Sequence, residues 1–540
     1  SQIMTVNLSN VTSIQDNMFN NCKNLTTVSL NDNISKLPSS VFEACESLKQ
    51  IELPLALTEI GKNAFKGSGL ESIVLIDNLT QIGESAFENS ALLKSVIFDS
   101  KIVKTIGNNA FANCASLEEM TLPESVTTIG EYAFLNTAIK SGYIPANVAV
   151  LGSGAFSGCK QITKFEVSPD NPVYKTTAEG LLLDVNDMLI AYPAGKTTFD
   201  LTGVETIGKG LFAGTAFTEI VVPSAVKKIE DNAFASSRHL QKVSFEEGSQ
   251  LTYLGKSVFY DSTALETVDF TNATQLTKFE DNAFTYSYIR SIVIPESVTT
   301  FGRSAFAESP LLSSVTFKGN VKMDANAFYS CVSLKTVIFE KPIERIERAT
   351  FQLCKSLKTI TLPEGLKGIE TNAFKDAGLT EITLPKSLET VGENAFSNCV
   401  DLATITIPAD GNLKTIENSA FKSSGITSIK LPASLRSIGK SAFEGCAQLA
   451  DIEFDEPTDI LSIGKTAFKN CVSANIYITK NITFTSDSVF YGWTEKQTVY
   501  VIGIKESDVA ENWYGTFTDL LDVTWQTGCN AKIMWNYTKQ

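Results

Sequence analysis

The sequence predicts a repeat solenoid, about twenty stacked coils of 22–25 residues, with short parallel strands on one face and turns or short helices on the other. Two observations predict it. A phenylalanine recurs at positions 19, 42, 65, 87, 111, 134, 156, 212, 234, 259, 284, 306, 328, 351, 374, 396, 421, 443, 468 and 490, at intervals of 22 to 25 residues apart from one gap of 56. Around each Phe runs the pattern I-x-x-x-A-F-x-x-C/S-x-x-L-x-x-I-x-L-P. A unit this short cannot bury its own apolar face, so the units must stack into a continuous core. A chain of 540 residues therefore need not divide into the several domains its length suggests.

Each part of the unit predicts an element. In the stretch that ends at Pro363, Leu357, Ile360 and Leu362 alternate with polar residues, the period of a half-buried strand. A proline often follows (Pro54, Pro123, Pro295, Pro363, Pro385, Pro432) and ends the strand, because it has no N–H to donate. A second short apolar stretch leads into the next Phe, usually as Ile-Gly (Ile60-Gly61, Ile129-Gly130, Ile438-Gly439). The Asn/Ser-Ala-Phe segment after it reads as a tight turn or a short helical turn on the opposite side.

This pattern resembles the BspA-type leucine-rich repeat, and the resemblance extends over residues 6–493. It implies a leucine-rich-repeat solenoid and a surface location, since the family is common among surface proteins of host-associated bacteria and some parasitic protists. Residues 167–198, within the 56-residue gap, resemble a β-hairpin island found in such proteins. There 181–183 and 188–191 read as two short strands about a polar turn, inserted on one edge with the stack continuous. The expected organisation is a solenoid over 1–493 and a C-terminal cap over 494–540, with a short helix at 507–517 and a final strand at 531–537. Val6 and Leu8 already lie in strand register, so the first coil is expected to be open.

Composition excludes several functions. No apolar run is long enough to span a membrane, and the N-terminus has neither a basic n-region nor an apolar h-region. The net charge of −15, with no basic block, argues against nucleic acid and anionic lipid. Nine of ten cysteines lie three residues after a repeat Phe, and elsewhere that slot holds a small residue, as in Ser68, Ser90, Thr137, Ser262, Ser287 and Ser424. Such a slot asks for a small, weakly polar side chain facing inward. No C-x-x-C pair occurs, so zinc spacing is absent. Parallel stacking holds neighbouring Cβ atoms near 4.8 Å, beyond the usual disulfide separation of about 3.5–4.5 Å. The ladder is therefore expected to be reduced, with Cys22/Cys45, Cys331/Cys354 and Cys446/Cys471 the nearest pairs. His239 is the sole histidine and reads as a surface turn residue. No nucleophile elbow, P-loop or dinucleotide fingerprint is present, and the acidic pairs Glu246-Glu247 and Asp455-Glu456 read as solvated loop charge. The sequence thus predicts no catalytic residue, no metal and no cofactor.

The residue between the two buried strand positions faces outward in each coil. That column is rich in Thr and β-branched residues through its middle, as β-propensity alone would give, and Tyr143 stands alone. It ends on Lys430, Glu453, Tyr477 and Tyr500, a charge pair followed by two tyrosines. These four form the candidate ligand-binding patch, because tyrosine joins apolar area to a polar tip. The expected function is non-enzymatic recognition or adhesion, binding a protein or glycan of a host or neighbouring cell through the solenoid face. The extracellular or cell-surface location comes from the family resemblance. An intracellular interaction scaffold and, less favoured, a carbohydrate-active enzyme are the alternatives.

Overall fold

The computed structural model describes residues 2–457, 459, 461–479, 481–486, 488–503 and 529–538. The protein is a parallel β-solenoid of about 21 turns, without a helix among the described residues. It divides into two compact units, Ser1–Phe212 with Ala225–Ala233, and Ala213–Ser224 with Phe234–Gln540.

The Phe side is turn throughout, and the backbone explains why. In coil after coil the residues two before and two after the Phe adopt positive φ: Asn63 (55°) and Gly67 (65°), Asn109 (55°) and Asn113 (60°), Asn394 (54°) and Asn398 (58°). A left-handed L-residue costs about 1 kcal/mol or more, least for Asn and nothing for Gly. This conformation turns three N–H groups of each coil toward the next. Asn63 N–H donates to Glu84 O (2.9 Å), Phe65 to Ala86 O (2.7 Å) and Gly67 to Glu88 O (2.7 Å). An α-helical turn would direct these donors within its own coil and leave the neighbour's carbonyls unpaired.

The Phe side chains point inward and stack. In the first unit the rings from Phe19 to Phe156 lie 5.1–5.7 Å apart, with interplanar angles of 2–22°. In the second unit the run from Phe234 to Phe490 has spacings of 4.7–6.0 Å. Most of these rings are wholly buried.

The two strand rows differ from the expected emphasis. The Ile-Gly row makes the longer ladders. In the first unit it runs through Lys36–Leu37, Glu59–Ile60, Gln81–Ile82, Thr105–Ile106, Thr128–Ile129 and Val150–Leu151. In the second, seven strands run from Arg345–Ile346 to Ile482–Phe484. The glycine that follows permits this close approach. A Cβ on Gly107 would lie 2.6 Å from the Gly83 carbonyl carbon, and one on Gly83 would lie 2.8 Å from that of Gly61. The outward row is broken into shorter sheets, such as Ser72–Leu75, Ser95–Phe98 and Glu119–Met120. In the coils of Phe42 and Phe351 it forms no strand, although Leu53, Ile360 and Leu362 remain buried. The outward column nevertheless keeps register within each sheet, as in Val74↔Ile97 and Val293↔Thr316↔Ile338.

The island corrects the expectation of an edge insertion. Tyr174–Thr176, Leu182–Asp184 and Met188–Ala191 form an antiparallel meander, and its last strand pairs in parallel with Thr206–Ile207. The meander lies in line with the Ile-Gly row. Leu151 N–H donates to the Tyr174 hydroxyl (3.0 Å) where that row meets it. The Phe column changes character here: Phe156 meets Phe165 edge-on at 5.5 Å, and Phe212 packs against Tyr192 and Phe199, each at 5.3 Å. At the other end, the expected helix at 507–517 lies outside the described residues. The final strand is Lys532–Tyr537, parallel to Thr498–Ile502.

The cysteine slot proves to be a donor slot. Cys45, Cys114, Cys159, Cys331, Cys354, Cys399, Cys446 and Cys471 each donate Sγ–H to the carbonyl of the preceding coil's Phe, at 3.0–3.3 Å. Ser90, Ser262 and Ser309 make the same bond at 2.8–2.9 Å. Trp493 occupies the slot in the coil of Phe490, with Nε1–H donating to Phe468 O at 2.8 Å. The side chain need not be small, as Trp493 shows, and where it carries a donor it adds a bond to the preceding coil's Phe carbonyl; Ala377 fills the slot without one.

Two outcomes follow from this packing. Phe351→Ala is expected to cost about 3–5 kcal/mol through the cavity it leaves, measured in a denaturant melt; the cost of a surface substitution would refute the register. Burial pushes the thiols of Cys45, Cys114, Cys331 and Cys399 from 9.0 up to about 12. Iodoacetamide at pH 8 should therefore spare these four thiols in the folded protein and alkylate them once unfolded, with about eight or more free thiols counted in the unfolded chain without reductant. The unfolded chain loses these thiol protons first, so their contribution to stability is complete below about pH 9 and declines as pH rises toward 12.

Candidate binding surface

The four residues singled out in the sequence sit on one sheet of the second unit. Its strands are Ser428–Leu431, Asp451–Phe454, Asn475–Ile478, Thr498–Ile502 and Lys532–Tyr537, in that order. Alternation decides which side chains are outward. Ile429, Leu431, Ile452, Ile476, Ile478, Val499 and Val501 are buried, which leaves Lys430, Glu453, Tyr477 and Tyr500 on the other face. Lys430 is in register with Glu453, and Tyr477 with Tyr500. The two phenol rings stack at 4.8 Å with planes 8° apart.

The electrostatics differ from the simple charge pair. The Lys430 ammonium lies 2.8 Å from Asp455 Oδ1, and this carboxylate raises the Lys430 pKa. Asp455 thus acts as more than solvated loop charge. Its partner is the very lysine that was expected to present a cation beside the tyrosines. Glu453 is half-buried on the neighbouring strand. Burial, then Asp451, raises the Tyr477 phenol above its ordinary value, so it stays protonated near neutral pH and keeps its O–H as a donor.

The structure adds Tyr537, which the column did not include. Its ring lies 4.5 Å from Tyr500 and 5.9 Å from Tyr477, tilted by 50° and 48°. Strict alternation from Met534, the partner of Tyr500, would have put Tyr537 on the opposite face. The register shifts between Tyr500 and Ile502, and Ile502 pairs with Tyr537. Asn536 takes positive φ (51°) within the shift, as in bulges that use a left-handed residue. The bulge carries Tyr537 to the outward side. The only hint in the sequence is an asparagine before a tyrosine, which is weak because Asn tolerates the left-handed region anywhere. Met534, 48% exposed, extends the apolar area beside Tyr500. Trp493 is inward and takes no part.

Other residues weighed in the sequence are brought to no shared site. His239 is exposed on its turn, and Glu246 accepts the Ser224 N–H at 2.9 Å. Among the described residues no group of three or more His, Cys, Asp or Glu could hold a metal ion, and no helix is long and apolar enough to cross a membrane. Two grooves escaped the sequence reading. One, about 560 Å³, lies in the first unit where the two-residue strand Glu119–Met120 ends its sheet, lined by Ile97, Met120, Thr121 and Glu124 among others. Tyr143 donates its hydroxyl to Glu124 at 2.8 Å. The other lies on the turn side of the second unit, at positions after the repeat Phe. Reading those positions as columns would have revealed its tyrosines.

The sequence model of the BspA type leucine-rich repeat region matches residues 1–94, 82–178, 205–331, 321–424 and 414–506. No curated protein matches the chain significantly. Among solved structures, the chain is similar to a leucine-rich cell surface protein from Faecalibacterium prausnitzii, with 26% identity over 75% of this chain and 88% of that one and a TM-score of 0.36. It is also similar to a leucine-rich repeat protein from Bacteroides ovatus, with 24% identity, 80% and 88% coverage and a TM-score of 0.34. A third is the pneumococcal vaccine antigen PcpA, with 20% identity, 68% and 97% coverage and a TM-score of 0.34. With the repeat motif matched on both sides of the island and across most of its length, this chain belongs to the BspA-type leucine-rich repeat family.

Proposed function

We propose that this protein is a non-enzymatic recognition or adhesion protein, secreted or displayed on a cell surface, that binds a protein or glycan partner through the C-terminal end of its outward strand row. The observation that carries this reading is the aromatic cluster of Tyr477, Tyr500 and Tyr537, flanked by Met534 on one side and by Lys430 and Glu453 on the other. Stacked phenols present rigid apolar area with few rotatable bonds to freeze, and each carries a hydroxyl able to fix orientation. Clusters of this composition are enriched among residues that dominate binding energy. The Lys430–Asp455 pair serves at the rim, where exposed charge contributes more to encounter and specificity than to affinity. The surface location rests on the family, and the partner class rests on the chemistry of the patch.

The tyrosines could instead serve only to cover the last coils, and one variant separates the two roles. Tyr477→Ser/Tyr500→Ser is expected to keep the melting transition of the parent. It should lose at least about 2 kcal/mol of affinity, roughly thirty-fold, for whichever immobilised extracellular-matrix protein or glycan the parent binds by surface plasmon resonance. A double variant that melts early and still binds would show the tyrosines to be structural.

A further inference from the structure

We infer that the turn side of the second unit carries a separate binding slot for a short neutral saccharide, between Tyr260 and Tyr329. The slot follows from the repeat register. The residue immediately after the repeat Phe lies on the turn; in other coils of this unit it is half-buried where long and charged, as in Lys375, Lys422, Glu444 and Lys469, and buried where short, as in Ala235 and Ser397. In the coils of Phe259, Phe284, Phe306 and Phe328 it is Tyr260, Thr285, Ala307 and Tyr329. Two recessed short side chains, Thr285 at 6% and Ala307 at 4% exposure, are thus bracketed by two aromatic rings three coil steps apart. At the strand spacing of about 4.8 Å that is roughly 14 Å. The resulting cavity measures about 390 Å³, within the range of small-molecule sites.

The walls determine what fits. Tyr286 stands edge-on to Tyr260, with centroids 5.5 Å apart at 89°, and its hydroxyl donates to Glu308 Oε1 at 3.0 Å. Along the other side run Asn282, Ser304 and Asn326, from the left-handed positions two before each Phe. Aromatic faces with amides, a hydroxyl and one carboxylate match a pyranose, which offers C–H faces to rings and hydroxyls that both donate and accept. Among the described residues that line it, Glu308 alone is charged, so a phosphate or sulfate would meet repulsion and no lining cation. One carboxylate already accepting a phenol hydroxyl is too little for a metal ion. A ring at each end blocks an extended peptide from running through the slot, whereas a sugar at a chain end or branch enters from above. Tyr491 repeats the position after the Phe farther along, but there the Lys469 ammonium lies 5.5 Å over the ring.

The test is saturation-transfer NMR on the whole chain with the methyl glycosides of glucose, galactose, mannose and N-acetylglucosamine, and a proline-rich decapeptide as the rival probe. At least one glycoside is expected to receive saturation, and the decapeptide none. Ala307→Lys, which restores the side chain found in other coils, should fill the slot and weaken that signal tenfold or more without changing the melt. Tyr260→Ala/Tyr329→Ala should weaken it likewise, whereas Tyr477→Ser/Tyr500→Ser should leave it intact, so this site stands or falls independently of the sheet-face patch. No transfer from any glycoside, transfer that survives Ala307→Lys, or transfer to the decapeptide alone would overturn the assignment.

Discussion

Each coil must meet its neighbour at a spacing that satisfies two demands at once. The Phe rings need about 5 Å to stack, and the turn-side N–H groups need a carbonyl within hydrogen-bond reach of the coil above. The left-handed residues two before and two after the Phe reconcile them, because they aim three donors per coil along the stacking direction, as Asn63, Phe65 and Gly67 do toward Glu84, Ala86 and Glu88. That backbone is costly for an isolated coil and is recovered only by a neighbour. The remaining features of the unit follow from this spacing. Glycine after the second strand keeps backbones such as those of Gly83 and Gly107 in contact without a Cβ between them. A donor three residues after the Phe, whether thiol, hydroxyl or the Trp493 indole, adds a second hydrogen bond to the previous coil's Phe carbonyl, which already accepts a backbone N–H of its own coil.

The same spacing constrains the surface. Equivalent side chains of successive coils stand side by side, so a column of like charge would repel itself in a chain whose net charge is −15. The lysines offset this. Lys23–Glu46, Lys36–Glu59, Lys227–Glu205, Lys318–Glu340 and Lys414–Glu389 all join adjacent coils. Their partners are largely exposed and screened by solvent, so each pair contributes little to stability. Their effect is to remove a repulsion that in-register stacking would otherwise impose.

What could be read in the sequence was whatever the repeat enforces in every coil. The Phe column, the alternating Leu357, Ile360 and Leu362, and the outward placement of Lys430, Glu453, Tyr477 and Tyr500 are all statements of period. Three features resisted reading because they depend on something other than period. The Ile-Gly row outranks the outward row in continuity, since two-residue strands carry almost no pattern and their strength lies in the glycine contact. The island lies in line with that row because Met188–Ala191 pairs with Thr206–Ile207, a long-range pairing that local alternation cannot specify. Tyr537 joins the aromatic cluster through a bulge at Asn536, and a single unpaired residue inverts every parity argument beyond it.

A regular core also explains how distinct surfaces arise on such a chain. Because the inward residues and the turn backbone are fixed by stacking, the outward strand position and the position after the Phe can vary without disturbing either. Two like residues in adjacent coils meet automatically at contact distance. Tyr477 and Tyr500 do so on the strand face at 4.8 Å, while on the turn side Tyr260, one after its Phe, meets Tyr286, two after the next, at 5.5 Å. Neither pair needs a loop to bring it together. Binding chemistry can therefore be gained by one or two substitutions in neighbouring coils, and it is most visible where a column departs from its own habit. Thr285 and Ala307 depart by being short where long charged residues are common. Tyr477 and Tyr500 depart by being large where threonine and valine are the rule.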